Sequence, residues 1–74
     1  MDHDRLLNIA VDLGCLLMSS GAEIYRVEES VRRLLQAYGL GSTEVFAIPN
    51  CVIVSITTPE GHTITRMRRI GGHG

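Results

Sequence analysis

Ser20 stands three residues ahead of Glu23 at the head of a stretch whose apolar residues recur at three- and four-residue steps as far as Tyr38. Ile24, Val27, Val31, Leu34, Leu35 and Tyr38 share one helical face, while Glu23, Arg26, Glu29, Arg33 and Gln36 take the other. The Ser20–Glu23 pair has the spacing of a capping box, in which the serine oxygen accepts from the Glu23 amide and the glutamate side chain reaches back to the Ser20 amide. A helix is therefore predicted to start there. Glu28 with Arg32 and Glu29 with Arg33 are spaced as favourable ion pairs, each contributing roughly 0.2–0.5 kcal/mol. Gly39 stands where a left-handed C-terminal residue is wanted, with Leu40 placed to pack back on Leu35.

An earlier helix is predicted from Asp2 or Asp4, whose carboxylates suit an N-terminus, to about Met18. Its polar residues Arg5, Asn8, Asp12, Cys15 and Ser19 form one narrow stripe, and nearly everything else is apolar. A surface helix ordinarily buries a stripe of a little over ~100°. This one is expected to pack on two sides, one against the rest of the domain and the other against a second subunit or a further part of a longer protein.

After Gly41 the periodicity changes from helical to extended. Thr43 to Ile48, Cys51 to Thr57 and His62 to about Ile70 are rich in β-branched residues, with turns at Pro49-Asn50 and Thr58-Pro59-Glu60-Gly61. The expected fold is α+β, with two helices packed on a three-stranded antiparallel sheet in the order ααβββ. If Thr57 pairs with His62, Val52, Val54 and Ile56 share the helix-covered face with Thr63, Thr65 and Met67. The opposite face then carries Ser55, His62, Arg66 and Arg68 together, in a register that a slip of one residue would invert.

The chain has 74 residues, enough for one domain that buries only about 60–65% of its unfolded surface, so its stability is marginal without a partner. Seven arginines and no lysines against eight acids give a net charge of −1. No global positive field recruits nucleic acid, and Tyr25, Tyr38 and Phe46 do not alternate with the arginines as a stacking platform would. Cys15 and Cys51 are expected as free thiols in a reducing cytoplasm, because Asp2 and Asp4 stand where a secretory leader carries positive charge. No apolar run approaches the roughly 20 residues of a membrane-spanning helix.

The donors His3, His62, His73, Cys15 and Cys51 show no paired metal-ligand spacing, and no cofactor is implied. Ser19, Ser20, Cys15 and Cys51 lie in no nucleophile-elbow pattern. Two polar sets remain. Arg66 and Arg68, with Ser55 and His62, are a candidate cradle for a small carboxylate, since guanidinium forks bind carboxylates in bidentate geometry. Glu23, Tyr25 and Arg26, with Glu28, cluster at a helix start, where they can orient a ligand or brace a neighbouring helix.

Five segments in order carry a resemblance: the leucine-rich Leu6 to Met18, the run Ser20-Gly21-Ala22-Glu23-Ile24-Tyr25-Arg26-Val27-Glu28, Val45-Phe46-Ala47-Ile48-Pro49, Cys51 to Ile56, and Thr65-Arg66-Met67-Arg68-Arg69-Ile70. Their order and spacing resemble the cytoplasmic N-terminal region of the threonine/serine exporter family of membrane proteins. That resemblance implies a role in secondary export of small amino acids, or of dicarboxylates in related members. For this chain it implies a regulatory, assembly or substrate-handling domain at the cytoplasmic face of the membrane, with the transmembrane domain of the parent protein as a partner; the wide apolar arc of the first helix adds a second copy of the chain as the other. The sequence runs out at Ile70-Gly71-Gly72-His73-Gly74 without a stop signal, and a fragment of a longer protein is expected. The alternative is a small hydrolase, for which the residues offer no recognisable triad or metal set.

Overall fold

A computed structural model describes residues 2–71, arranged as α1 (His3–Ser19), α2 (Ile24–Ala37), β1 (Thr43–Ile48), β2 (Cys51–Thr57) and β3 (Thr63–Arg69). His73, with Gly72 and Gly74, lies outside the described residues. Asp2 caps α1 as its position predicts, its carboxylate accepting from the Arg5 amide at 3.2 Å.

The serine expected to open α2 instead closes α1. Ser20 donates its hydroxyl to the Leu16 carbonyl at 2.8 Å, and its amide donates to the carbonyls of Leu16 and Leu17. Gly21 follows at φ +85°, its amide donating to Met18 and that of Ala22 to Leu17, both at 3.1 Å. These bonds satisfy the orphan carbonyls of a helix end in a Schellman motif, and they leave the serine hydroxyl turned away from α2. The N-cap of α2 is Glu23, which makes no side-chain cap bond and meets the helix through its backbone carbonyl, accepting from Arg26 and Val27. At the far end of α2 the reading holds. Gly39 adopts φ +87°, its amide bonds Gln36, that of Leu40 bonds Leu35, and Leu35 and Leu40 are both buried.

The three strands form an antiparallel sheet in the order β1-β2-β3. Together with the two helices on one face this is the predicted α+β architecture. The register of β3 differs by one residue from the expected one: Thr57 pairs with Thr63, Ser55 with Thr65, Val54 with Arg66 and Val52 with Arg68. The turn explains the slip. Thr58 donates its amide to the His62 carbonyl at 2.8 Å and its hydroxyl accepts from the His62 amide at 3.1 Å. Those bonds leave a loop of only Pro59, Glu60 and Gly61, with Gly61 at φ +89° as a three-residue hairpin requires. Every side chain of β3 consequently faces opposite to the expectation.

Leu7, Ala10 and Val11 of α1 and Val27, Val31 and Leu35 of α2 are fully buried against Val52, Val54 and Ile56 at the centre of the sheet. Gly14 marks the closest approach, since a Cβ there would lie 3.0 Å from Val52 Cγ1 and 3.5 Å from Val31 Cγ2. The apolar arc of α1 does exceed what the domain covers, as Ile9 and Leu16 are 50% and 65% exposed. Glu28 does not take Arg32 as its partner. Its carboxylate accepts from the Ala47 amide at 3.0 Å and so ties α2 to β1, whereas Glu29 and Arg33 do pair, at 2.9 Å.

Candidate functional site

The two candidate sets fare differently. Arg66 and Arg68 point to the helix-covered side of β3 and are engaged by the polar stripe of α1. Arg66 donates from Nη1 to Asn8 Oδ1 at 3.0 Å and from Nη2 to Asp4 Oδ1 at 2.8 Å, and Arg68 Nη1 pairs with Asp12. Asp4, Asn8 and Asp12 recur every four residues along one line of the helix, so this stripe and alternate residues of β3 run side by side. Ser55 lies on the other face, its hydroxyl 3.0 Å from that of Thr65, and His62 sits exposed in the hairpin bend. The four residues expected to form one cradle are not brought together; the one-residue register difference separates them.

Two members of the second set enter a cavity. Tyr25 and Arg26 line a cleft of about 460 Å³ at the junction of the helices, over Leu17 and Ala22. Glu29, Ser30 and Arg33 complete it. It forms because the tight Ser20–Glu23 connection brings the end of α1 beside the first turns of α2, while Arg26, Glu29, Ser30 and Arg33 lie at three- and four-residue steps on one helical face. Glu23 itself serves as the backbone cap and does not line the cleft. From the sequence Glu29 and Arg33 read only as a surface ion pair, and Ser30 is not singled out. The signal that finds them is the same helical spacing, counted forward from Arg26.

The cleft offers guanidinium, carboxylate and hydroxyl groups within two turns of helix. Arg33 is bonded to Glu29, and among the described residues Arg26 has no carboxylate partner. Such an arrangement suits a small molecule carrying both signs of charge. Burial pushes the Cys15 thiol up from its ordinary value, with the Arg68 charge pulling the other way, and a protonated thiol is a poor nucleophile. No group of three or more metal donors occurs among the described residues, and Cys15 and Cys51 are free. No helix among the described residues is long and apolar enough to cross a membrane.

No curated protein and no solved structure matches this chain. The family described as "Putative threonine/serine exporter" (ThrE) matches it over residues 8–74, from the second turn of α1 through all three strands. A match of that extent covers most of α1, all of α2 and the sheet, and the chain belongs to the threonine/serine exporter family.

Proposed function

We propose that this chain is a substrate-handling domain of a threonine/serine exporter, working at the cytoplasmic face of the membrane beside the transmembrane domain of the parent protein. In this reading the cleft between α1 and α2 holds a small zwitterionic amino acid. The observation that carries it is the grouping of Arg26, Glu29, Ser30 and Arg33 in one cleft of a chain that belongs to an exporter family. The Arg26 fork receives the α-carboxylate, Glu29 the ammonium, and Ser30 or the Tyr25 hydroxyl a side-chain hydroxyl, while Arg33 holds Glu29 in place. A dicarboxylate fits less well, because its second carboxylate meets Glu29. The cleft is open and its charged groups are solvated, so binding is weak and salt-dependent.

Chemical-shift titration with threonine, serine and succinate tests this. Threonine and serine should shift the amides of Ala22, Arg26, Glu29 and Ser30 together, succinate should do so less, and Arg26→Ala should abolish the response. Shifts that sodium chloride reproduces at equal ionic strength, or that centre on Arg66 and Arg68, would overturn the reading.

A further inference from the structure

The face of the sheet turned away from the helices is unusually apolar for a surface left in water. Across its middle run Phe46, Ile53 and Met67, paired in register on the three strands, with Ile48 and Cys51 beside them. Phe46 is 55% and Met67 59% exposed. A sheet with one solvated face normally alternates apolar inward with polar outward, and here the outward positions hold the largest exposed side chains of the strands. The hydroxyls on this face satisfy one another, Ser55 with Thr65 at 3.0 Å and Thr57 with Thr63 at 3.5 Å. Covering it with another apolar surface therefore strands few polar groups.

Its charges are arranged about a centre. Glu44 lies beside Ser55 at one corner, and Arg69 lies beside Cys51 at the diagonally opposite corner. Each is one strand and two residues from Ile53, an offset of about 4.8 Å across and about 6.7 Å along the sheet. Neither has an ion-pair partner among the described residues. Because the two corners are equidistant from Ile53 on opposite sides, a two-fold axis lying over Ile53 and across that diagonal sets each Glu44 on the other copy's Arg69.

We propose that this face binds a second copy of the chain around that axis, with Phe46, Ile53 and Met67 of each sheet packed together at the centre and Glu44 paired with the partner's Arg69 on both sides. The strands of the two sheets then cross at a steep angle, as in orthogonal sheet packing, and the interface is isologous. A face of three short strands is at the small end of specific interfaces, so the dimer is in reversible equilibrium with monomer. The inference does not depend on the amino-acid cleft, which lies at the junction of the helices on the other side of the sheet.

Sedimentation velocity of the 74-residue chain over a micromolar to millimolar series tests it. The chain should show a concentration-dependent dimer, and Phe46→Ser or Met67→Ser should weaken it by about tenfold or more. Glu44→Arg and Arg69→Glu should each weaken it, and the two together should restore it, a rescue that a non-specific apolar contact would not show. Both charge positions are exposed, so these arms decide the matter even if Phe46→Ser disturbs folding by circular dichroism. A monomer at every concentration would overturn the proposal, as would a dimer that survives Phe46→Ser and the single charge reversals but is lost in Leu16→Ser on the outer face of α1.

Discussion

On β2 the two faces of the sheet carry similar side chains and meet opposite surroundings. Val52, Val54 and Ile56 are fully or almost fully buried under the helices, while Ile53, between them in sequence, looks outward between Phe46 and Met67. Apart from Ser55, nothing in the hydrophobicity of Cys51 to Ile56 distinguishes the sides. The neighbours do. One side receives the apolar stripes of α1 and α2, and the charged seam between α1 and β3 closes it along one margin. A strand's own pattern thus gives its alternation, and the elements packed on it determine which half of that alternation is core.

The largest test of this contrast is a matched pair of truncations. Ile56→Ala should cost about 2–5 kcal/mol in a denaturant titration, enough to leave a domain of this size largely unfolded. Ile53→Ala, measured at low micromolar concentration, should cost less than about 1 kcal/mol. Equal losses would mean that the two faces are not different environments in the monomer.

A second test acts on the turn that decides which side of β3 faces inward. Gly61→Ala meets no side chain, since nothing lies within 4 Å of the added carbon, but it forces an alanine to φ +89°. The expected loss is about 1–2 kcal/mol. If stability is unchanged and the Thr57–Thr63 pairing persists by cross-strand nuclear Overhauser effects, the three-residue loop does not control the register.

The smallest effects belong to the seam. Arg66→Ala should cost up to about 1 kcal/mol, because its partners are largely solvated and an exposed ion pair contributes little. Arg69→Ala on the opposite face should be near neutral in the monomer, and added salt should narrow the difference. A larger loss at Arg69 than at Arg66 would reverse the assignment of faces.

The order of elements is legible in the chain because each signal is local: Asp2 at the head of α1, Gly39 and Leu40 after α2, and three β-branched runs separated by the turns at Pro49 and Gly61. Sequence and structure part where one local signal serves two structures. Ser20-Gly21 reads as a helix start when counted forward to Glu23 and as a helix end when counted back to Leu16, and the αL glycine satisfies more backbone groups in the second reading. On β3 the pattern Thr-Ile-Thr-Arg-Met-Arg gives neither face a clear apolar majority, so one ladder position at Thr58 and His62 was enough to invert it. Of the candidate site, Tyr25 and Arg26 were legible from the sequence. The cleft around them depends on the packing of α1 against α2, which no spacing within α2 reveals.

The bond from the Ala47 amide to Glu28 leaves the sheet with unequal rims. Ala47 stands opposite Val52 in β1, and its amide points away from β2. An incoming strand seeking to extend the sheet from that side would have to displace a charged side chain already seated on the backbone. The opposite rim is β3, where Arg66 and Arg68 turn inward onto the carboxylates of α1 and Arg69 is exposed, charged side chains of the kind that discourage pairing at a sheet edge. The outward-facing hydrocarbon of the sheet is therefore offered across its face, while both margins carry charged side chains set against edge-to-edge pairing.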